Sequence, residues 1–363
     1  MEYDIVIVGG GIAGASLGAE IAARRRTLMI EAEDHCGYHS TGRSAAFFLE
    51  SYGGPEVARL NAASARALAD PPADFAERGF LKVRGAIHLS KQDWPELPAG
   101  VPCQRLDRQA LEQLVPGLRP IWTRGLLEPG CADIDVASLH AAYLRRFRRS
   151  GGELRTSSRL VGAERHGGVW RIKLADGSTI TGRILVNAAG AWADQVAGAC
   201  GIGPLGLTPY RRTMVQLRVG RSGLAALPLV NDSGGQFYFK GEGDSSVWLS
   251  PHDEIASEPC DSAPEEIDIA TAIHRFEGVV DWPVERVERS WAGLRTFAPD
   301  RLPVYGFDQS GEEFFWCAGQ GGFGIQSSPA AALMAAALVL GDPLPDALAA
   351  IDPAVFSPSR LRR

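Results

Sequence analysis

Hydrophobic and polar positions along the chain alternate between strand-like runs and helical spacing. Tyr3 to Val8 is a β-branched run between turn residues, long enough for a strand buried on both faces, as the first strand of a parallel α/β sheet is. A helix is predicted from Ala13 to about Arg24, with Leu17 and Ile21 among small residues that can lie against a sheet. Thr27 to Ile30 reads as the second strand and ends at Glu31. Farther on, Val57, Leu60, Ala63, Ala67 and Leu68 recur at helical spacing and give one apolar face, and Phe80 to Leu89 reads as strand. Further strands are predicted at 180–187, 211–219, 236–240, 246–250 and 314–316. Helices are predicted from near Val136, over Glu265 to Phe276, and from near Ser327 or Ser328, where Pro329 fits the first turn.

A length of 363 residues allows one large domain or two. Hydrophobic residues at 45% and charged residues at 22% exclude disorder, collagen and coiled coil as the dominant state. The net charge of −6 argues against a protein that grips nucleic acid through its overall field. Six cysteines are scattered singly, with no C-x-x-C pair, so they suggest neither a zinc site nor a disulfide framework. The longest apolar candidate, Ala330 to Leu340, is too short to span a bilayer, and Glu2 and Asp4 before the first apolar run argue against a signal peptide. The expected location is cytoplasmic, with peripheral attachment to a membrane left open.

Gly9-Gly10-Gly11-Ile12-Ala13-Gly14 matches G-x-G-x-x-G between the first strand and its helix. Gly9 permits the tight turn, Gly11 lets backbone N–H groups approach a pyrophosphate, and Gly14 permits close helix–strand packing. Glu31 lies where a carboxylate accepts from a ribose hydroxyl and repels a 2′-phosphate, so NADP is disfavoured. The motif itself leaves NAD and FAD open.

Three later segments bear on that choice. Gly37 to Ala46 is dense in hydroxyls and holds one guanidinium, on Arg43, which suits a pyrophosphate or an isoalloxazine edge. Ala188-Ala189-Gly190-Ala191-Trp192 puts small residues after a strand. Cys317 to Gln326 is a Gly-rich crossover before a helix whose N-terminus would meet a partial anion. A crossover so late in the chain, returning to an N-terminal nucleotide motif, favours the longer cofactor, FAD.

Together, Val8 to Gly14, Gly37 to Ala46, Asp133-Ile134-Asp135, Val186 to Trp192, Trp291 to Arg295 and Gln320 to Gln326 resemble the D-amino-acid oxidase superfamily of flavoproteins, nearest in pattern to the bacterial D-arginine dehydrogenase type. The resemblance implies an α/β fold, α+β overall. A Rossmann-like FAD-binding domain of the glutathione-reductase type would take residues 1–47, 136–205 and 291–363. A mixed-sheet substrate domain would take 48–135 and 206–290. It implies noncovalent FAD held by Gly9, Gly11, Ile12, Ala13, Gly14, Glu31, Ser40, Thr41, Arg43, Ser44, Ala45, Ala46, Leu160, Ala189, Gly190, Trp192, Gly321, Gly322, Gly324, Ile325 and Gln326. The implied reaction is oxidation of a D-amino acid or related amine by hydride transfer to flavin N5, after which the imino acid hydrolyses to a 2-oxo acid and ammonia. Electrons would pass on to dioxygen, a quinone or a carrier.

By position, Arg295 and Tyr238 would clamp the substrate's carboxylate, the geometry that bidentate guanidinium recognition favours. Tyr52 matches a tyrosine on a mobile loop over the site, Arg212 and Gln326 match substrate contacts, and the Gly322 carbonyl would accept from the substrate amine. The sequence departs from the pattern at two places. The family's active-site histidine falls on Phe47, and the acid expected to hold a substrate guanidinium falls on or near Arg84, so a neutral or acidic substrate is expected instead of arginine. Asp133 and Asp135 are read as helix caps, and His140 and His252 as surface or helix-face residues. The rival readings are a flavoenzyme for a 2-hydroxy acid or glycerol phosphate, and a flavin-binding protein without turnover.

Overall fold

The computed structural model describes residues 2–362. Its first sheet has eight strands built around Glu2–Val8, which pairs in parallel with Thr27–Ile30 on one side and Thr179–Asn187 on the other. Glu153–Arg155 and Phe314–Ala318 extend the two sides, again in parallel, and Leu160–His166 with Val169–Leu174 adds an antiparallel hairpin. The central strand is apolar on both faces because both are covered. Ile5 and Ile7 pack with Leu17, Phe147 and the alanines of Ser328–Leu340, while Val6 and Val8 pack with Trp170, Ala193 and Ala197. Ser328–Leu340 starts with Pro329 in its first turn and stops at Gly341, whose φ of 72° is left-handed.

The second sheet has nine strands, with Thr208–Val219 and Val284–Phe297 as its longest antiparallel pair. Alternation gives it two unlike faces. Val215, Leu217, Phe239 and Leu249 form an oily face with Ala272 and Phe276 of the helix Glu266–Glu277. Arg212, Met214, Tyr238 and Arg295 lie on the other face, which lines a cleft against the first sheet. A small third sheet joins Phe47–Phe48 and Leu81–Val83 to Ala132–Ile134.

Several sequence expectations change at this level. The boundary placed between 290 and 291 falls inside Val284–Phe297, so Arg295 belongs to the second sheet. The strand expected over 80–89 is two, Leu81–Val83 and Ala86–Ser90, parted at Gly85 with φ 77°. Asp135 caps the Val136–Arg149 helix, accepting from Ser138 N at 3.0 Å, but Asp133 does not, because its carboxylate is taken by Arg84 and Lys240. His140 points inward, and its Nε2–H donates to the Gly10 carbonyl at 2.8 Å. No helix among the described residues is long and apolar enough to cross a membrane.

Candidate active site

The cleft between the two sheets encloses about 1700 Å³, its open mouth included. At one end stands the glycine turn. A Cβ on Gly9, whose φ is 106°, would lie 2.4 Å from the Ala188 carbonyl oxygen, and one on Gly14 would lie 2.0 Å from the Gly9 carbonyl oxygen. Only hydrogen fits at either position, so the turn holds the helix Ile12–Ile21 tight against its strand with its N-terminus facing the cleft. Glu31 braces this turn: one carboxylate oxygen accepts from Gly10 N at 2.8 Å and the other from Glu33 N at 3.1 Å. Thr41 Oγ1 accepts from Ile12 N at 3.0 Å.

The 37–46 loop crosses to the second sheet. Ser40 Oγ donates to the Leu294 carbonyl at 2.6 Å, and Ser44 Oγ accepts from Ala46 N at 3.0 Å. Arg43 lines the cleft, but its guanidinium is engaged by the Ser262 and Ala292 carbonyls and by Asp261. The structure brings Gly9, Gly11, Ile12, Ala13, Glu31, Ser40, Thr41, Ser44, Ala45, Leu160, Ala189, Gly190, Trp192, Gly321, Gly322, Gly324 and Ile325 to the cleft wall as well. Gly14 and Ala46 stand behind it, the latter with φ 57°. Gln326 is also behind it: its Oε1 accepts from Leu49 N at 2.9 Å, and its buried Nε2 has no partner among the described residues.

At the other end Arg295 donates from Nη1 to the Tyr52 phenol at 3.0 Å and from Nη2 to the Tyr238 phenol at 3.2 Å. Tyr238 in turn donates to Met214 Sδ at 3.2 Å. Arg295 makes no ion pair among the described residues; its direct partners are the two phenols, and the Glu254 carboxylate supports its charge from beyond contact distance. Arg212, on the neighbouring strand, is 3% exposed; its Nε donates to the Asp253 carbonyl at 2.7 Å and its Nη2 to Glu254 at 3.2 Å, leaving Nη1 buried without a partner among the described residues. Burial, and then the nearby Arg295 charge, hold the Arg212 guanidinium below its ordinary pKa. Thr296 Oγ1, on the cleft wall, is likewise buried and unpartnered.

Phe47 and His252 contact Tyr238, edge-on at 5.5 and 5.7 Å between ring centroids. Phe47 therefore supplies shape but no base. His252, read as a surface residue, is instead largely buried with Nδ1–H donating to the Gly235 carbonyl at 2.6 Å; burial first, then Arg212, depress it to about 3. It is neutral at working pH.

Arg84 is not at this site. It lies outside the cleft wall, with Nε and Nη2 on Asp133 at 2.8 and 2.6 Å and two further bonds to the Leu227 and Gly241 carbonyls. Lys240 reaches the other oxygen of Asp133 at 2.7 Å, so the charge-reversal idea loses its physical basis. Sequence reasoning also passed over Met214 and Thr296. Period-two spacing from Arg212 would have found Met214, whereas Thr296 follows Arg295 directly and no strand-face spacing points to it.

The family model described as "FAD dependent oxidoreductase" (DAO) matches residues 4–338. The glycine oxidase of Geobacillus kaustophilus is 25% identical, covering 93% of each chain. The bifunctional protein ThiO/ThiG of Nostoc sp. is 24% identical over 84% of this chain, which spans only about half (48%) of that relative's length. Among solved structures, the L-proline dehydrogenase from P. horikoshii superposes with a TM-score of 0.84 at 21% identity, covering 100% of this chain and 98% of that one.

Proposed function

We propose, because the chain belongs to the DAO family of FAD-dependent oxidoreductases, that it oxidises the Cα–N bond of a small amino acid, free or N-substituted, with one carboxylate and an uncharged side chain. FAD suits the cleft on three counts: a glycine turn with no room for a Cβ, a helix N-terminus aimed into it, and a carboxylate at Glu31 beside the turn. Gly9, Gly11, Thr41 and Glu31 would hold its dinucleotide part, and the 321–325 turn its ring. Bound there, it supplies a two-electron acceptor for a hydride.

The charge at Arg295 carries the substrate reading. Arg212 is paired with Asp253 and Glu254, whereas the direct partners of Arg295 among the described residues are two phenols, with Glu254 acting only at longer range. A half-buried guanidinium with no carboxylate in contact is open to a substrate carboxylate, which it can take bidentately. Two phenols beside the guanidinium complete a receptor that fixes the carboxylate and so orients the Cα–H bond. The only carboxylates on the cleft wall among the described residues, Glu31 and Glu33, lie at the dinucleotide end. An ammonium near Arg295 and Arg212 thus meets two guanidiniums, with Asp253 and Glu254 engaged by Arg212 behind the cleft wall, which favours binding of the free amine and makes a general base at Phe47 unnecessary. A cationic side chain would find no partner. The likeness to the D-arginine type therefore concerns the carboxylate end alone; the D configuration is carried over from the sequence and goes to the same test.

A second reading, oxidation of a 2-hydroxy acid or glycerol phosphate, is favoured by the unpartnered Arg212 Nη1, which can take another anionic oxygen. Anaerobic bleaching of the flavin-loaded protein separates them, using glycine, sarcosine, the enantiomers of alanine and proline, D-arginine, D-glutamate, lactate and glycerol phosphate. Bleaching by neutral amino acids alone supports the proposal. Bleaching led by glycerol phosphate or lactate selects the second reading, led by D-arginine it overturns the charge argument, and with no bleaching by any compound the chain is a flavin binder without turnover. Reoxidation by dioxygen against an artificial acceptor then distinguishes oxidase from dehydrogenase.

A further inference from the structure

Tyr52 sits on a short loop before the helix Gly54–Ala69, yet its phenol must meet Arg295 on the far sheet. We propose that Glu128, braced by His88, is a positioning residue that grips Ser51 and thereby sets where Tyr52 stands over Arg295, fixing the site's affinity for the substrate carboxylate. This rests on the reading that Arg295 receives that carboxylate.

Each residue from 49 to 52 is tied by a side chain. Leu49 N donates to Gln326 Oε1 at 2.9 Å, and Asn61 Nδ2 donates to the carbonyls of Glu50 and Tyr52 at 3.2 and 2.9 Å. Those two anchors belong to elements outside the second sheet. Glu128 differs: it ends the strand Arg124–Glu128 in the sheet that also carries Arg295. Its Oε2 accepts from Ser51 Oγ at 2.7 Å and its Oε1 from Ser51 N at 3.2 Å. Of these anchors, this one alone references the Tyr52 loop to the strand system holding its partner.

The grip is stiff. His88 Nε2–H donates to Glu128 Oε2 at 3.1 Å, and Asn231 Nδ2 donates to His88 Nδ1 at 3.2 Å, which fixes the tautomer. His88, Asn231 and Glu128 lie on three adjacent strands of one sheet, so the carboxylate cannot swing without moving the sheet. Glu128 is 2% exposed and has no Lys or Arg partner among the described residues. Burial raises its pKa, but the bonds from His88 and Ser51 outweigh burial and hold it below the ordinary carboxylate range. The value of this carboxylate is geometric: it delivers two bonds to the residue that precedes Tyr52.

The test is a double-mutant cycle read by benzoate binding, followed through the visible spectrum of the flavin-loaded protein. Ser51→Ala and Tyr52→Phe should each weaken benzoate by about tenfold, and the double variant should lose no more than the worse single one. Glu128→Gln, which keeps the shape and guards against a Ser51 variant that folds badly, should behave as Ser51→Ala does and add nothing to Tyr52→Phe. Wild-type affinity in Ser51→Ala and Glu128→Gln, or losses that add fully to that of Tyr52→Phe, would overturn the positioning role. Benzoate binding that survives Arg295→Met unchanged would instead overturn the reading of Arg295 on which the proposal stands.

Discussion

Gly322→Ala perturbs the carboxylate receptor, and flavin content reports separately on the turn that would hold the ring. Gly322 does not have a positive φ, so alanine suits its backbone, and the effect must come from the added methyl. A Cβ there would lie 2.7 Å from the Tyr52 phenol oxygen and 3.0 Å from Arg295 Nη1, where ordinary contact begins near 3.4 Å. The phenol must therefore retreat by about 0.7 Å, and the 49–52 loop is held by Gln326, Asn61 and Glu128 and cannot follow as a body. Because Cβ, the phenol oxygen and Nη1 form a near-equilateral triangle, the Arg295–Tyr52 bond then lengthens from 3.0 Å to about 3.4 Å, or about 3.6 Å once Arg295 yields as well, beyond useful hydrogen bonding. A lost bond to a charged donor costs about 1.5–3 kcal/mol, which is roughly a ten- to hundredfold weakening of carboxylate binding. The assay is the Kd of benzoate and the KM of the best amino-acid substrate, with flavin content measured alongside. Unchanged flavin content with benzoate affinity within twofold of wild type would refute the reasoning.

Gly14→Ala places a Cβ 2.0 Å from the Gly9 carbonyl oxygen, so the purified variant should be colourless or nearly so, with a visible-to-ultraviolet absorbance ratio far below wild type. Arg84→Ala removes one member of the Arg84–Asp133–Lys240 group, and since Asp133 keeps Lys240 it should cost less than the about 3–5 kcal/mol of a stranded buried charge while leaving the ranking of substrates unchanged; a selective loss on acidic substrates at unchanged Tm would contradict this placement. His252, depressed to about 3 from an ordinary 6.5, is bound by more protons in the unfolded chain than in the folded one between those values. Stability should thus fall on acidification through that window, by at most about 1.4 kcal/mol per pH unit from this group, and His252→Phe should flatten the slope of Tm against pH.

The local frame was legible because it is written in short-range pattern. Thr27–Ile30 and the glycine turn follow from β-branched runs and from spacing within about thirty residues. Arg295 and Tyr238 emerged from a resemblance, and the strands that carry them are two apart from a direct pairing, a relation no local window contains. Arg84 was misplaced for the same reason. Its partners, Asp133, Leu227 and Gly241, are distant in sequence; the third sheet brings Asp133 to it by laying Leu81–Val83 against Ala132–Ile134, and the second sheet brings Leu227 and Gly241 by pairing Leu229–Asp232 with Ala86–Ser90. His252 looked like a surface or helix-face histidine, and nothing local shows that Tyr238, Gly235 and Arg212 close around it. Ser51 and Glu128 are unremarkable letters until Ala86–Ser90 and Arg124–Glu128 pair and bring His88 beside the carboxylate.

The central claim is that an oxidisable substrate is held by its carboxylate on Arg295 while its electrons pass to a bound flavin. Anaerobic stopped-flow reduction of wild type and Arg295→Met by one neutral amino acid tests it most directly. The account predicts full bleaching of wild type, and a variant that keeps its flavin but needs on the order of a hundredfold or more substrate for half-maximal rate, as expected for loss of a buried charge pair. The same concentration dependence in both proteins, at equal flavin content, would contradict it.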